Sequence, residues 1–348
     1  MGDEGQQEGL DKDKKTKAVA LLSGGLDSSL AVRMMLDQGI DVEAIAIKTP
    51  FCDFDCGKGC GHRVKQVSVD LGIPLKTVYF GAEYLKMLRK PKHGYGSGMN
   101  PCIDCRAMMY REAKKHMENT GADFIVTGEV LFQRPMSQNR RALHIIEEET
   151  GTAGKVLRPL SAKHLPPIEA EKNNLIKREI LGDIKGRSRK GQLSLARHYS
   201  MEDPPNAAGG CLLTDPAFSK RIKDTFAHAD GIPSINDVEL LKFGRHFRMS
   251  TDAKLVVGRN MDENEKIKSM FLPGDILLEA KDYVGPTCLL RSRTYDESVV
   301  RASAGILLRY ADSPKDAKCI VMATNGNNDM TEIHTESAQD EAIAKLRI

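Results

Sequence analysis

Residues 23–29 read Ser-Gly-Gly-Leu-Asp-Ser-Ser and follow directly on the apolar run Ala18-Val19-Ala20-Leu21-Leu22. Glycine lets a backbone approach an anion closely, hydroxyls donate to it, and a helix N-terminus adds partial positive charge. The segment offers Gly24 and Gly25, the hydroxyls of Ser23, Ser28 and Ser29, and then a helix-forming run from Leu30. Asp27 is an acid in an anion site, which makes chemical sense if it holds Mg²⁺ against phosphate oxygens. The G-x-x-x-x-G-K-[ST] spacing is missing, so this is not a Walker loop.

Cysteine is the second chemical resource, with eight in the chain. Cys102 and Cys105 lie in Asn-Pro-Cys-Ile-Asp-Cys-Arg at a helix start, where two thiols share a side and thiolate pKa falls. Alone, the pair is open between a redox couple, a zinc half-site and cluster ligands. Cys211 follows the paired glycines Gly209 and Gly210. Added to the pair, it makes three ligands, and a [4Fe–4S] cluster would then keep one iron free of protein and open to a sulfide; a structural zinc would want a fourth ligand. Cys52, Cys56, Cys60 and His62 could bind zinc or a second cluster, but their spacing matches neither a ferredoxin run nor a zinc knuckle, and a thiol-bearing loop is the alternative. Cys288 and Cys319 sit in apolar strand context and read as small core residues. No secretory h-region is present, so the expected compartment is the cytoplasm, where reduced thiols favour metal or catalysis over disulfides.

The elements that must position these groups alternate in the first half. Strands are expected over 19–22, 42–47, 75–80 and 123–127, and helices over 29–37, 63–71 and 106–120. Strands separated by helices imply an α/β, doubly wound parallel sheet whose ligands bind beyond the C-terminal strand ends. The Ser23 loop, Lys48 and Thr127-Gly128-Glu129 all fall at such ends and should share one face. Residues 130–215 are irregular and hold the basic run Gly186-Arg187-Ser188-Arg189-Lys190-Gly191. Past Pro233 short strands take over, at 247–249, 255–257, 276–279, 287–290 and 319–322, which reads as a smaller α+β domain.

Length and charge bound the partners. A chain of 348 residues has room for two domains and a sizeable core. A net charge of +3 proves no nucleic-acid binding by itself. Residues 233–348 carry 16 basic and 18 acidic side chains, leaving 35 and 30 to the rest, so the positive excess lies in the first part. No apolar stretch is long enough to span a bilayer, and no membrane partner is expected. The first 17 residues read as a polar, disordered tail.

The Ser23–Ser28 loop resembles the PP-loop of ATP pyrophosphatases, which split ATP into AMP and pyrophosphate and adenylate a carbonyl oxygen. Cys102-Ile-Asp-Cys105-Arg-Ala-Met-Met-Tyr-Arg111-Glu-Ala resembles the Cys-x-x-Cys-(Lys/Arg)-x-x-Met-x-Arg-x-Ala helix of the tRNA 4-thiouridine synthase family in its cluster-bearing form. Thr127-Gly128-Glu129-Val-Leu131-Phe-Gln133 with Ser137-Gln138, and Arg158-Pro159-Leu160, are similar to further motifs of that family, with one extra residue before Ser137. Asn-Pro-Cys102 and Gly-Gly-Cys211 also resemble the bacterial tRNA 2-thiouridylases. Leu255-Val-Val-Gly258-Arg259-Asn260 and Asp275 through Gly285 resemble the RNA-binding module of NFACT proteins. The 4-thiouridine synthases normally carry a THUMP module before the PP-loop; here 17 polar residues precede it, and the second domain is expected to supply the RNA grip instead. No rhodanese relay is expected.

The resemblance implies a tail over 1–17, a HUP-like PP-loop domain over 18–232 and an NFACT-type domain over 233–348. It implies ATP on Ser23, Gly24, Gly25, Asp27, Ser28, Ser29, Lys48, Thr127 and Gly128, with Mg²⁺ on Asp27. It implies a [4Fe–4S] cluster on Cys102, Cys105 and Cys211, these three and Asp27 being catalytic, and RNA on Arg187, Arg189, Lys190, Arg259 and Lys281. The expected reaction is adenylation of a tRNA uridine carbonyl followed by sulfur insertion, at C4 rather than C2. The alternatives are a cluster-free persulfide on Cys105 or Cys211, and sulfur transfer to a small molecule. Expected partners are tRNA, a sulfur donor (sulfide or a cysteine desulfurase) and a second copy of the chain.

Overall fold

The computed structural model describes residues 15–51, 60–201 and 211–348, so Cys52, Cys56 and the Gly209-Gly210 pair lie outside the described residues. The chain divides into two compact units, one of residues 1–80, 90–96 and 100–211, the other of 81–89, 97–99 and 212–348.

The first unit is built on five parallel strands in the order β3-β2-β1-β4-β5. In chain order its first elements are β1 (Lys17–Leu21), α1 (Leu26–Leu36), β2 (Asp41–Lys48), α2 (Cys60–Asp70) and β3 (Leu75–Tyr79). Next comes α3 (Ala82–Arg89), which belongs to the second unit. The first unit resumes with α4 (Cys102–Thr120), β4 (Phe124–Thr127), α5 (Arg140–Thr150), β5 (Val156–Leu157), α6 (Glu169–Lys172) and α7 (Lys190–His198). Alternation along β1 assigns its two faces. Ala18 and Ala20 pack with Leu30, Val32 and Met35 of α1, while Val19 packs with Tyr110, Ala113 and Met117 of α4. Helices thus cover both faces, and the strand reads as a continuous apolar run, as a doubly covered parallel strand must. Because β1, β2 and β4 run parallel, Leu21, Lys48 and Thr127 end at one edge.

The second unit contains α8 (Pro216–His228), α9 (Ile235–Leu240), β6 (Arg245–Arg248), β7 (Ala253–Val257), α10 (Met261–Ser269), β8 (Ile276–Ala280), β9 (Cys288–Ser292), α11 (Glu297–Tyr310), β10 (Cys319–Thr324), β11 (Met330–Thr335) and α12 (Asp340–Leu346). Its six strands are all antiparallel, in the order β11-β10-β8-β9-β7-β6. Period-2 alternation again divides the faces. Leu255, Val257, Cys288 and Leu290 pack on Val300, Ala304, Leu307 and Leu308 of α11, whereas Val256 and Leu289 pack on Leu240 and Ile267. Full burial of a leucine such as Leu255 or Leu307 contributes about 1.5–3 kcal/mol. Cys288 and Cys319 are buried in this core, as their apolar context predicts. Among the described residues no helix is long and apolar enough to cross a membrane.

Candidate functional site

At the β1 edge the chain turns through Ser23-Gly24-Gly25 into α1, and Gly25 caps the helix without any side-chain hydrogen bond. The N–H groups of its first turn are therefore uncapped by side chains, which suits an anion. The hydroxyls meanwhile hold the loop itself: Ser28 and Ser29 both donate to the Gly25 carbonyl, at 2.9 and 3.1 Å, and Ser23 Oγ lies 3.1 Å from Ser28 Oγ.

The loop after β4 closes down on this turn. A Cβ built on Gly128 would stand 2.4 Å from Ser28 N and 2.5 Å from the Asp27 carbonyl carbon, so only glycine lets the two loops touch. Asp27 is the charged residue of this contact. Burial pushes its carboxyl up from the ordinary range, against the pull of Gln133, Arg189, Arg134 and Gln192. Oδ1 is buried and accepts no hydrogen bond. An unpartnered buried carboxylate oxygen beside a helix N-terminus fits a hard cation carried with phosphate. Lys48 ends β2 on the same edge, half-buried, while Thr127 is buried and donates to Glu129 at 3.3 Å.

The cysteine pair sits at the first turn of α4, with Pro101 as cap. Asp104 anchors that turn, accepting from the backbone N–H of Lys92 at 2.9 Å and of His93 at 3.0 Å. Burial pushes the Cys102 thiol up, more than Arg106 and Arg134 pull it down. The lowered thiolate pKa expected from a helix start is therefore not found at Cys102; desolvation outweighs the neighbouring cations and hydrogen bonds. Arg134 is depressed by burial and by Arg106, while Cys102, Asp27 and Cys211 each favour its charged form. One cation thus senses the PP-loop acid and two of the three cysteines. Among the described residues, however, no three His, Cys, Asp or Glu side chains gather as a metal-holding group. Cys102 and Cys211 are neighbours of Arg134, and the three cysteines are not an assembled ligand set.

Behind the edge, three motif segments meet in a buried polar network. Tyr110 of α4 donates to Glu129 Oε2, to which Arg158 Nε also donates at 3.1 Å. Arg158 continues to Tyr110 Oη at 3.1 Å and to Glu147 Oε1 at 2.6 Å, and Arg106 Nε stands 3.5 Å from Glu129 Oε1. Burial opposes ionisation of Glu129, but Arg106 and Arg158 hold its carboxyl below the usual range. Burial likewise pushes the Tyr110 phenol up. Sequence reasoning missed the roles of Tyr110, Arg106, Glu147, Gln133 and Gln192. Tyr110 and Gln133 stand inside motifs already singled out; nothing in the sequence marks Gln192.

Of the basic run, Arg187 and Lys190 are exposed and Arg189 lies close enough to favour the Asp27 carboxylate. In the second unit, Arg259 Nε donates to both oxygens of Glu263 at 2.9 Å, and Lys281 pairs with Glu332 at 2.6 Å.

Residues 14–178 match the family model described as "Thiamine biosynthesis protein (ThiI)", and residues 244–347 match "NFACT protein RNA binding domain". The chain is 30% identical over 205 residues to a probable tRNA sulfurtransferase of Methanothermobacter thermautotrophicus, covering 57% of this chain and 49% of that protein. It is 30% identical over 127 residues to a tRNA-specific 2-thiouridylase of Syntrophotalea carbinolica, covering 34% of this chain and 35% of the relative. The chain thus spans about half of the one relative and about a third of the other. A solved complex of a 4-thiouridine synthetase with RNA and bound ATP is similar at 26% identity and a TM-score of 0.34, over 64% of this chain and 52% of that one. The expected likeness to PP-loop tRNA thiolation enzymes is borne out: residues 14–178 are similar to the ThiI family and residues 244–347 to the NFACT RNA-binding domain.

Proposed function

We propose that this protein is an ATP-dependent tRNA sulfurtransferase that thiolates a uridine. One observation carries the reading: the Asp27 loop, the Cys102–Cys105 helix start and the Arg158 loop converge on one edge of the parallel sheet through Gly128, Arg134 and Glu129. A triphosphate on the uncapped start of α1 exposes its α-phosphorus to a uridine carbonyl oxygen. Pyrophosphate leaves, and the base carries AMP as a leaving group. Arg134 and Arg189 stabilise charge developing on the phosphates, and Mg²⁺ on Asp27 supplies further positive charge when bound. Sulfur handled by Cys102, Cys105 and Cys211 then replaces AMP at the activated carbon.

The favoured product is 4-thiouridine over 2-thiouridine. A [4Fe–4S] cluster on the three cysteines is the finer form of the proposal, and it requires Cys211 to close on the pair. Anaerobic reconstitution with about four irons per chain would support the cluster. Full thiolation by iron-free protein leaves the persulfide form. The second unit raises affinity for tRNA through Arg259 and Lys281 on phosphates, and the exposed Arg187 and Lys190 of the first unit contact phosphates as well. The expected compartment is the cytoplasm.

The deciding experiment is product analysis. With tRNA and ATP the protein should release AMP and pyrophosphate, and nucleoside mass spectrometry should find a thiolated uridine. Clean release of ADP, or unmodified tRNA from a loaded enzyme, sinks the reading.

A further inference from the structure

The basic run is fastened to the motif loops. Gly186 N–H donates to the Leu131 carbonyl at 2.7 Å, and Lys185 bridges Leu131 in parallel. Ile184 N–H donates to the Leu160 carbonyl at 2.8 Å, and Ser161 Oγ donates to the Ile184 carbonyl at 2.6 Å. A Cβ on Gly182 would stand 2.5 Å from the Leu160 oxygen, so this strap lies directly on the Arg158-Pro159-Leu160 segment. The strap delivers α7, which packs on α1 and carries Gln192 at 0% exposure.

Gln192 lies beside Asp27. The Gln192 side chain favours the charged form of Asp27 as a hydrogen-bond donor, yet no hydrogen bond of ordinary geometry reaches its Oε1 or Nε2, or Asp27 Oδ1. Buried polar atoms are rarely left so, and three of them on two adjacent side chains form a donor set that the protein itself does not satisfy. Two of its members are hard oxygens, a carboxylate and an amide carbonyl. Mg²⁺ suits such a pair, since it keeps several waters and takes few protein ligands beside phosphate oxygens. Arg189, drawn toward Asp27 by the same strap, adds positive charge for those phosphates.

We propose that Gln192 is a nucleotide-site residue: with Asp27 it supplies the protein oxygens of a divalent-cation site for the cation that accompanies a nucleoside triphosphate, its Nε2 donating to a phosphate oxygen. The inference rests on the nucleotide reading above and adds a residue from outside the matched segment 14–178.

The test uses the full chain, Mn²⁺ and α,β-methylene-ATP, with cation binding followed by electron paramagnetic resonance. Gln192→Met keeps the length and removes the oxygen. It should weaken Mn²⁺ binding in the presence of the analogue by ~10–100-fold, the usual cost of a group that supports a metal. It should leave metal-free analogue binding within a few-fold, and it should not lower the melting temperature of the ligand-free protein, because two unpartnered amide atoms disappear. Gln192→Glu keeps an oxygen and adds charge, so it should bind Mn²⁺ at least as tightly as the unaltered protein. Unchanged Mn²⁺ affinity in Gln192→Met, or loss in Gln192→Glu, overturns the inference alone. An unaltered protein that binds no analogue overturns the nucleotide reading with it.

Discussion

Thr127, Gly128 and Glu129 divide two polar interiors of the first unit that obey opposite rules. On the Glu129 side every group but one carboxylate oxygen finds a hydrogen bond, and that oxygen, Oε1, faces Arg106 at 3.5 Å. On the Gly128 side Asp27 Oδ1 and both amide atoms of Gln192 are buried without partners. The first arrangement is what a scaffold needs, because a broken buried pair is costly. The second is affordable only where something other than protein supplies the partners. Two carboxylates, Glu129 and the Asp27 that meets the adjacent Gly128, thus do different work, and their ionisation is displaced in opposite directions.

The comparison breaks most visibly at Glu129. Glu129→Ala leaves Arg158 buried beside Tyr110 without its main counter-charge, so the expected loss is about 3–5 kcal/mol of unfolding free energy, read by urea titration. The milder Glu129→Gln sharpens it through pH. A carboxyl held low in the fold contributes stability that is complete above its unfolded value and is lost as pH falls through the folded one. The gap between unaltered protein and Glu129→Gln should therefore shrink on acidification. A constant gap would remove Glu129 from the scaffold.

Gly128→Ala comes next. Its Cβ would meet backbone on the Asp27 side, which cannot swing away as a side chain can. Overpacking of this kind costs about 1–3 kcal/mol, and the strain falls on the nucleotide loop. ATP turnover should drop far more than stability does. Turnover close to normal would show that the contact is incidental.

How much of this was legible follows from the same contrast. The Asp27 loop, the cysteine helix and the Gly128 motif are compact in sequence, and strands 19–22, 42–47, 75–80 and 123–127 emerge as β1 to β4 within a few residues because each is a short, largely apolar run bounded by glycine or proline turns. What was hidden is long-range. Gln192 reaches Asp27 only after the strap at Leu131 and Leu160 has formed, and no local pattern encodes that meeting. Strand β5 has two residues, too few for any period, and β11 is an exposed edge strand whose alternation, Met-Thr-Glu-Ile-His-Thr, carries no buried apolar face. Cys102 misled for a physical reason, since the spacing signals a helix start and says nothing of the burial that pushes the thiol up.

Asp27 supplies the converse of the Glu129 test, at smaller amplitude. Asp27→Asn should abolish ATP turnover while leaving ligand-free stability at neutral pH equal or slightly higher. A carboxyl raised in the fold costs stability when ionised. That cost fades as pH falls through the folded value toward the unfolded one, so here too the two proteins should converge in acid, but from the other side. A destabilised Asp27→Asn protein at neutral pH would place Asp27 with the scaffold and erase the distinction.

The smallest effect belongs to a charge that is paired yet exposed. Arg259 holds Glu263 through its Nε and its own backbone N–H, the latter at 3.0 Å, and its side chain is 49% exposed. Solvent screens such a pair, so Arg259→Ala should cost less than about 1 kcal/mol of stability. What it should change is the salt dependence of tRNA binding. If Arg259 leaves Glu263 for a phosphate, its removal should weaken binding across sequences and lower the slope of log affinity against log salt by about 1. An unaltered slope means that Glu263 keeps the guanidinium in the complex as well. Arg259 would then belong with Glu129 and Arg158 as structure, and the RNA-facing charge would have to be sought among the lysines and arginines that no carboxylate holds.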